Sequence, residues 1–437
     1  MAQGTALFWT ATGIVICTFA VIISDRVNRA VIALLGACLM VILGVLTQSD
    51  AIAAINFNAL GLLAGMMMIV GVARKSGLFA YAAIIAAKLV RGSPAGLLVI
   101  LSLLTAGFSA LLDNVTTVML VVPATFVIAE QLELPVYPFL VAEIFASNIG
   151  GTATLIGDPP NILIGTSAHL SFTAFLQNLG PLVMALLGLQ IIANHLVWGM
   201  RLSTGPERRE RLMGLKASTM IEDWWLLACS LVVIACVIAG LVLARRLQLD
   251  VATIALSGAG VLMLLEAVPH HHHKHAELVA HAFAQIEWTT LLFFVGLFVI
   301  AGGVEHAGVL DWLAQQLMTR TQGDPFSTAT TILWASAMLS AIVDNIPFVT
   351  TMIPLIQHLE GAFHGAHDLT PLWWALSLGA CLGGNGTLIG ASANLAVAGL
   401  AEKNGVHFSF MRFAATAMPM MLAAIALCQL YLSWRYF

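Results

Sequence analysis

The chain has 437 residues, of which 60% are hydrophobic and only 9% are Asp, Glu, Lys or Arg. Soluble domains carry about 25% charged residues, so this composition excludes a water-soluble globule and predicts an all-α polytopic membrane protein. The formal net charge of −4 argues against a nucleic-acid partner.

The first half of the chain is rich in apolar runs, and runs of about 17–25 residues suffice to cross a bilayer. No basic region precedes the first run, Ala6–Ile23, which predicts a retained span rather than a cleaved signal. Residues 78–90 are predicted to lie along the membrane interface. Helices are predicted at 6–24, 28–47, 55–73, 94–112, 115–129, 138–150, 155–168 and 178–200.

A polar linker at 201–221 separates the two halves and is rich in arginine. Positive charge close to spans marks the cytoplasmic side, so we predict a cytoplasmic linker. Six basic residues of the first half agree with this topology if the N-terminus begins outside, whereas Arg245 and Arg246 do not. The six are Arg26, Arg29, Arg74, Lys75, Lys88 and Arg91.

The second half shows a similar series of apolar runs. Those that flank polar motifs are too short to span alone, which predicts re-entrant hairpins or broken helices. The His-rich run 270–275 is interpreted as a solvated loop, with metal binding or pH sensing as alternatives. Helices are predicted at 222–244, 249–267, 287–304, 328–343, 346–358, 371–383, 387–400 and 411–433.

Two polar motifs occur once in each half. FSALLDNVTTVMLVVP at 108–123 recurs as LSAIVDNIPFVTTMIP at 339–354, a shift of 231 positions. SNIGGTATLIGDPPNI at 147–162 recurs as ACLGGNGTLIGASANL at 380–395, a shift of 233 positions.

A third match aligns the sequences that begin at Gly65 and Gly296, again 231 positions apart. These ordered matches predict an internal duplication, with one repeat at 1–200 and the other at 222–437. Because the first repeat then ends inside and the second begins inside, the repeats are expected to be inverted, as in many secondary carriers.

The glycine motifs are expected to break helices, since paired glycines weaken helical propensity and Pro159–Pro160 removes two amide donors. Broken helices survive in a membrane only where they line a protein-buried cavity, and matching breaks in two halves indicate a carrier's midplane site. The alternative is that the glycines allow close helix packing. Predicted substrate- or ion-binding residues are Asp113, Asn114, Thr116, Thr117, Asn148, Gly150, Gly151, Thr152, Thr154, Asp344, Asn345, Gly383, Gly384, Asn385 and Thr387.

Three aspartates are candidates for proton coupling, because an ionisable group at membrane depth costs at least ~2.5–3.5 kcal/mol and is usually functional. Asp113 and Asp344 occupy matching positions and could instead cap half-helices. Asp158 has Ala391 as its counterpart, and an interfacial Asp-Pro turn is the alternative there. Secondary candidates are Asn161, Asn394 and Cys381.

No Arg or Lys occurs between residues 92 and 200, so the motifs contain no cationic clamp. Two acids without a base favour cations or neutral solutes over multivalent anions. The six cysteines lie scattered in apolar runs without metal-ligand spacing. Neither a nucleophile–base set nor an ATP-binding loop occurs, so we expect a transporter without enzymatic activity, cofactor or bound metal.

The phrases DNVTTVMLVVP, SNIGGTATLIGDPPNILIG and GGNGTLIGASANL resemble the ion-transporter superfamily. The similarity is to its arsenite permease and P-protein branch, which is related to NhaD-type antiporters and divalent anion/sodium symporters. The resemblance implies an elevator-type carrier with two re-entrant hairpins, commonly a dimer, with a scaffold and a transport domain. The resemblance also implies that the Asp-Asn motifs and the glycine motifs bind the substrate or ion. Ile346–Pro347–Phe348 lacks the hydroxyls of Thr116 and Thr117, so the half-sites differ.

The sequence therefore predicts a multi-pass carrier of a bacterial or archaeal plasma membrane. The leading hypothesis is proton-coupled efflux of arsenite or antimonite, whose neutral hydroxides suit amide, hydroxyl and carboxylate ligands. The alternatives are a sodium/proton antiporter and a sodium-coupled carboxylate or anion transporter. Expected partners are the small substrate, protons or sodium, membrane lipid and a second copy of the chain; an ATP drive would require a separate ATPase subunit.

Overall fold

The computed structural model describes residues 2–24, 26–269, 272–362 and 369–437. These residues form helices joined by turns and short extended segments, without a β-strand among them. The helices of the first half are α1 Ala2–Ser24, α2 Arg29–Ile42, α3 Gln48–Ala53, α4 Phe57–Arg74, α5 Leu78–Leu89, α6 Pro94–Leu111, α7 Asn114–Leu132, α8 Tyr137–Thr152, α9 Pro159–Ser167 and α10 Phe172–Asn194.

The second half repeats this order after a linker helix. The linker holds α11 Pro206–Gly214, and its Arg208 and Arg211 pair with Glu133 at the end of α7, at 2.6 and 3.5 Å. The remaining helices are α12 Trp224–Leu247, α13 Val251–Ala267, α14 His272–Ala284, α15 Trp288–His306, α16 Val309–Thr321, α17 Pro325–Ser340, α18 Asn345–Ala362, α19 Thr370–Gly383, α20 Ser392–Lys403 and α21 Phe410–Tyr436.

Helix order matches when each of α1–α10 is compared with the helix eleven places later, and the lengths are similar except for α3 and α14, which have 6 and 13 residues. For example, α4 and α15 have 18 and 19 residues, and α10 and α21 have 23 and 27. The repeat bounds and the inversion of one repeat relative to the other stay predictions.

Among the described residues, eight helices are long and apolar enough to cross a membrane. The prediction of an all-α polytopic membrane protein is therefore confirmed. These candidate spans are Ala6–Ile23, Phe57–Arg74, Pro94–Leu111, Asn114–Leu132, Phe172–Gly199, Trp224–Leu247, Trp288–His306 and Phe410–Tyr436.

Packing sorts the helices into two sets, each built from both halves of the chain. The lateral set comprises α1–α4 and α12–α15, in which α4 packs on α13 and α2 on α15. The central set comprises α5–α10 and α16–α21, in which α6 packs on α8, α17 on α19, and α8 on α19. Every residue of α8 and every residue of α19 after Thr370 is buried, so these two helices form the middle of the central set.

Two hairpins within the central set bring the Asp-Asn motifs to their tips. Helices α6 and α7 meet at Leu112–Asp113, and α17 and α18 meet at residues 341–344. Asp113 ends the first tip by capping α7, since its carboxylate accepts a hydrogen bond of 2.8 Å from the Thr116 amide. The capping role expected as one reading of Asp113 therefore occurs in the structure.

Both glycine motifs interrupt their helices, as the sequence predicts. Helix α8 ends at Thr152 and α9 begins at Pro159, four residues later than the predicted start at 155. Asp158 is extended, with φ −144° and ψ 133°, because a residue that precedes proline is driven out of the helical region. In the second half a short 3-10 turn, Gly384–Gly386, follows α19, and α20 begins only at Ser392.

The His-rich run differs from the loop expected for it. Helix α14 begins at His272 and extends to Ala284, whereas residues 270–271 lie outside the described part of the chain. Residues 78–90 form α5, which buries Phe79, Ala83 and Ala87 and packs on α6 and α7. Its predicted position along the membrane interface stays a prediction.

Candidate functional site

A cavity of about 60 Å³ lies between the two hairpin tips. Its polar lining comes from both halves of the chain. Asp113, Asn114 and Asp158 contribute from the first half, and Glu287, Asn345 and Ser392 contribute from the second. The fold thus brings together residues that the sequence singled out independently in the two halves.

A buried chain of asparagines lies behind this cavity. Asn114 donates through Nδ2 to Asn148 Oδ1 at 3.0 Å. Asn148 in turn donates to Asn385 Oδ1 at 2.9 Å and to Asn394 Oδ1 at 3.0 Å. All four side chains are buried, and the chain of amides joins α7 and α8 of one half to the broken helix of the other.

Asn161 and Asn394 stabilise the two helix breaks in matching ways. Asn161 Nδ2 donates to the carbonyl oxygens of Thr152 and Thr154 at 3.2 and 3.0 Å. Asn394 Nδ2 donates to those of Gly384 and Thr387 at 2.7 and 2.8 Å. These secondary candidates therefore satisfy carbonyls that the broken helices leave open, which a membrane interior requires.

The threonine hydroxyls of the breaks do not behave as expected. As predicted binding residues, Thr152, Thr154 and Thr387 would present their hydroxyls to a solute. Instead, Thr152 donates to the Asn148 carbonyl at 2.7 Å. Thr154 and Thr387 donate to the carbonyls of Ala110 and Ala341, each at 2.5 Å. These hydroxyls donate to backbone carbonyls that water cannot reach, because buried carbonyls need a hydrogen-bond partner. Their protons are therefore not available to a solute.

The motif glycines serve close packing in the structure. A Cβ on Gly150 would lie 2.5 Å from Ala106 Cα, and one on Gly383 would lie 2.6 Å from Ala337 Cα. Gly151 and Gly384 likewise face backbone oxygens of their own breaks, at 2.5 and 2.9 Å. The packing alternative therefore applies to these four glycines. They let the hairpins approach the broken helices closely, and none of the four lines the cavity.

Of the remaining candidates, Thr116 lies next to the cavity rather than in it. It lines an adjoining space of about 80 Å³ that shares Met67 and Glu287 with the main cavity. Thr117 is buried on α7. Cys381 is buried beside the Asp158 carboxylate and donates to Asn161 Oδ1 at 3.5 Å.

Three acceptor oxygens at the site have no N–H or O–H partner among the described residues. They are Asn114 Oδ1, Asp158 Oδ2 and Asp344 Oδ1. The other Asp158 oxygen accepts from Asn345 Nδ2 at 3.4 Å. Buried polar groups are nearly always satisfied in proteins, so these three acceptors could each take a hydrogen bond from a solute or accept a proton.

Arg29 is the main residue that sequence reasoning missed. It was counted as a topological charge, but its guanidinium lines the cavity and forms an ion pair with Asp344. It also donates to Ser392 Oγ at 3.0 Å and lies 5.6 Å from the ring centre of Phe293. The motifs themselves contain acidic residues and no basic residue, as expected. The same expectation is wrong for the site, because Arg29, 315 positions from Asp344 in the sequence, forms an ion pair with it.

Glu287 was missed as well. It precedes α15, lines the cavity and accepts from Thr290 Oγ1 at 3.0 Å. The signal that could have revealed both residues is their place at the start of an apolar helix, Arg29 at the first residue of α2 and Glu287 directly before α15.

Comparison with known protein families gives a match over most of the chain. The family model described as "Citrate transporter" matches residues 19–379. An uncharacterized transporter of Mycobacterium tuberculosis is 40% identical over 431 residues, 98% of either chain. A 46 kDa membrane protein of Mycobacterium leprae is 38% identical over a similar span. The human P protein is 32% identical over 504 residues, which cover 97% of this chain but 59% of the P protein.

The fold also resembles a solved structure. The YdaH transporter of Alcanivorax borkumensis superimposes with a TM-score of 0.63, covering 99% of this chain and 98% of that one. The two sequences are 15% identical, so this likeness concerns the fold alone.

Proposed function

The chain belongs to the citrate transporter family of membrane transporters, and we propose that it exports arsenous or antimonous acid in exchange for protons. The family and the fold establish a multi-pass membrane transporter. The mycobacterial relatives support a bacterial plasma membrane as its location. The substrate, the coupling ion and the direction are the parts that we propose.

The observation that carries the proposal is a set of three acceptors without an N–H or O–H partner among the described residues: Asn114 Oδ1 and Asp158 Oδ2, on residues that line the cavity, and Asp344 Oδ1 beside it. A solute that satisfies them must donate hydrogen bonds. Arsenous acid is neutral near pH 7 and carries three hydroxyl groups on one arsenic atom. It could therefore donate one hydroxyl to each acceptor without bringing a charge into the membrane interior, where charge is costly.

The size of the cavity supports a small solute. A cavity needs about 10–15 Å³ to hold one water molecule. The cavity of about 60 Å³ therefore has room for roughly four to six groups of that size. One arsenic and three oxygen atoms fit that space. Citrate, with six carbons and three carboxylates, is too large for the cavity in this conformation.

The charges at the cavity support coupling to protons. Asp113, Asp158 and Glu287 line it, and Asp344 lies beside it, whereas Arg29 is the cation that the described residues bring to its lining. Because Arg29 is already neutralised by Asp344, the remaining carboxylates would repel an anion unless they gained protons. We therefore assign proton coupling to Asp113 and Asp158, and to Asp344 once its pair with Arg29 is broken.

A second candidate is a small carboxylate carried together with cations. Two observations favour it: the description of the family as citrate transporters, and the presence of Arg29 at the cavity. In this case the substrate carboxylate would take the place of Asp344 on the guanidinium, and the freed aspartate would bind the coupling cation.

The purified chain in proteoliposomes separates these functions. With an imposed pH gradient and no ATP, arsenite should accumulate against its own gradient, and an added protonophore should abolish the accumulation. Sodium-dependent citrate or succinate uptake without arsenite transport would support the second candidate. A sodium-induced pH change without transport of either solute would instead indicate sodium/proton antiport. Transport of arsenite only when an ATPase and ATP are supplied would remove the proposed proton exchange.

A further inference from the structure

The ion pair between Arg29 and Asp344 joins the two helix sets. Arg29 is the first residue of α2, which belongs to the lateral set and packs on α1, α3 and α15. Asp344 lies at the tip of the α17–α18 hairpin in the central set. Ser392, which begins α20 in the same set, completes the contact.

One oxygen of Asp344 carries the whole contact. Asp344 Oδ2 accepts from both Arg29 Nη1 and Ser392 Oγ, the latter at 2.7 Å. Asp344 Oδ1 has no partner among the described residues, although Asp344 is buried. The carboxylate is therefore half satisfied, and its neighbours Asn345 and Ser392 line the cavity. A donor that reaches Asp344 Oδ1 from there would compete with Arg29 for the carboxylate.

Among the described residues, the first hairpin tip shows no equivalent of this contact. Asn28 precedes α2 as Asp250 precedes α13, so the residue that corresponds to Arg29 is the apolar Val251. Asp113, which corresponds to Asp344, caps its own helix through the Thr116 amide. Of the two hairpin tips, the second is the one held by an arginine of the lateral set.

A contact of this kind must break if the sets move relative to one another. Helix α18 packs on α9 and α19, and α20 packs on α7 and α8, so Asp344 and Ser392 are anchored within the central set. Arg29 is anchored in the lateral set through α2 and α15. A displacement between the sets by one helical turn, about 5.4 Å, would separate the guanidinium from the carboxylate.

We propose that the Arg29–Asp344 pair is an interlock that holds the central set against the lateral set while the cavity is empty. A hydroxylated solute that donates to Asp344 weakens the pair and releases the movement, so the empty carrier is prevented from cycling. The interlock rests on the proposed function only for the identity of the solute. Any small hydrogen-bond donor that reaches Asp344 would act in the same way.

Pulsed electron–electron double resonance on the full-length chain in lipid nanodiscs tests the interlock. Spin labels at Ile16 in α1 and Leu430 in α21, which are 62% and 64% exposed, report the distance between the sets. The exposed Cys17, Cys38 and Cys236 are replaced by serine in every sample. The empty parent protein should give one distance population. Arg29→Gln should add a second population without any solute, because the pair is broken.

Matched variants make the result specific. Arg26→Gln removes an exposed arginine three positions earlier and should behave like the parent, and Arg29→Lys should also do so because it keeps a cation. If Arg29→Gln does not fold, Asp344→Asn breaks the pair from the other side and should produce the same second population. Identical distributions in the parent, Arg29→Gln and Asp344→Asn would overturn the interlock.

The same samples separate the interlock from the proposed substrate. Arsenite added to the parent protein should populate the second distance. In Arg29→Gln, where the two helix sets are already released, arsenite should change the distance distribution little. A second population in Arg29→Gln combined with no response of the parent to arsenite would support the interlock and contradict arsenite as the solute.

Discussion

Asn148 and Asn385 lie 237 positions apart in the sequence and share a buried hydrogen bond of 2.9 Å, from Nδ2 of the former to Oδ1 of the latter. The bond joins α8 to the short turn that follows α19, and thus links the two glycine motifs at the centre of the fold. Asn148 also accepts from Asn114, the residue after the first hairpin tip. A single amide therefore ties one hairpin to the opposite helix break.

Replacing Asn148 with alanine should destabilise the fold and reduce transport. The variant leaves Asn114, Asn385 and Asn394 with fewer partners, and a buried polar group without its partner costs about 1–3 kcal/mol. Thermal unfolding in detergent measures the loss. Asn404→Ala is the control, because exposed Asn404 bonds only locally, to the Leu400 carbonyl at 2.8 Å, and its melting temperature should stay close to that of the parent. Equal melting temperatures for both variants would contradict the proposed role of the network.

Replacing Gly150 with alanine should separate α6 from α8. Its Cβ would lie 2.5 Å from Ala106 Cα, and backbone cannot yield as a flexible side chain does. Overpacking of this kind costs about 1–3 kcal/mol. Gly188→Ala in α10 is the control, since its Cβ meets nothing within 4 Å, and alanine there should stabilise the helix by about 0.5–1 kcal/mol. Opposite shifts in melting temperature are expected. A stable Gly150→Ala variant would show that this contact does not constrain the hairpin.

Replacing Asp113 with asparagine should abolish proton-driven transport and leave the fold intact. Asparagine caps helices as well as aspartate does, so the bond from the Thr116 amide survives while the ionisable group is lost. The expected loss of uptake is at least about tenfold, or about 1.4 kcal/mol.

Asp324→Asn is the matched control for Asp113→Asn. Asp324 caps α17 through the Ser327 amide at the same 2.8 Å but lies outside the cavity lining. Its uptake should equal that of the parent. Full pH-driven uptake by Asp113→Asn would remove this carboxylate from the coupling mechanism.

Replacing Cys381 with serine tests whether a thiol ligates the solute. The structure uses this thiol as a donor to Asn161 Oδ1, a task that a hydroxyl can also perform. We therefore expect arsenite uptake to change by less than about twofold, well under 1 kcal/mol. Cys428→Ser, at a buried cysteine on α21, is the control for loss of a thiol elsewhere. A selective loss of arsenite uptake in the Cys381 variant would show that the sulfur contributes directly.

Local features of this site could be predicted from the sequence. Asp113 as a helix cap, the break before Pro159 and the second break after Gly383 all follow from short motifs. Such features depend on neighbours within a few residues, so the residue types themselves carry the information. The apolar composition likewise determined that the chain forms membrane helices.

Tertiary structure alone decided which polar groups remain open to a solute. The sequence places the hydroxyls of Thr154 and Thr387 at the site, but they donate to carbonyls in the hairpin of their own half of the chain. It treats Arg29 as a topological charge, but Arg29 pairs with Asp344. Contacts between residues tens to hundreds of positions apart leave no local pattern in the sequence. In a membrane interior, however, every backbone carbonyl and charge must find a partner, so these distant contacts determine what the cavity presents.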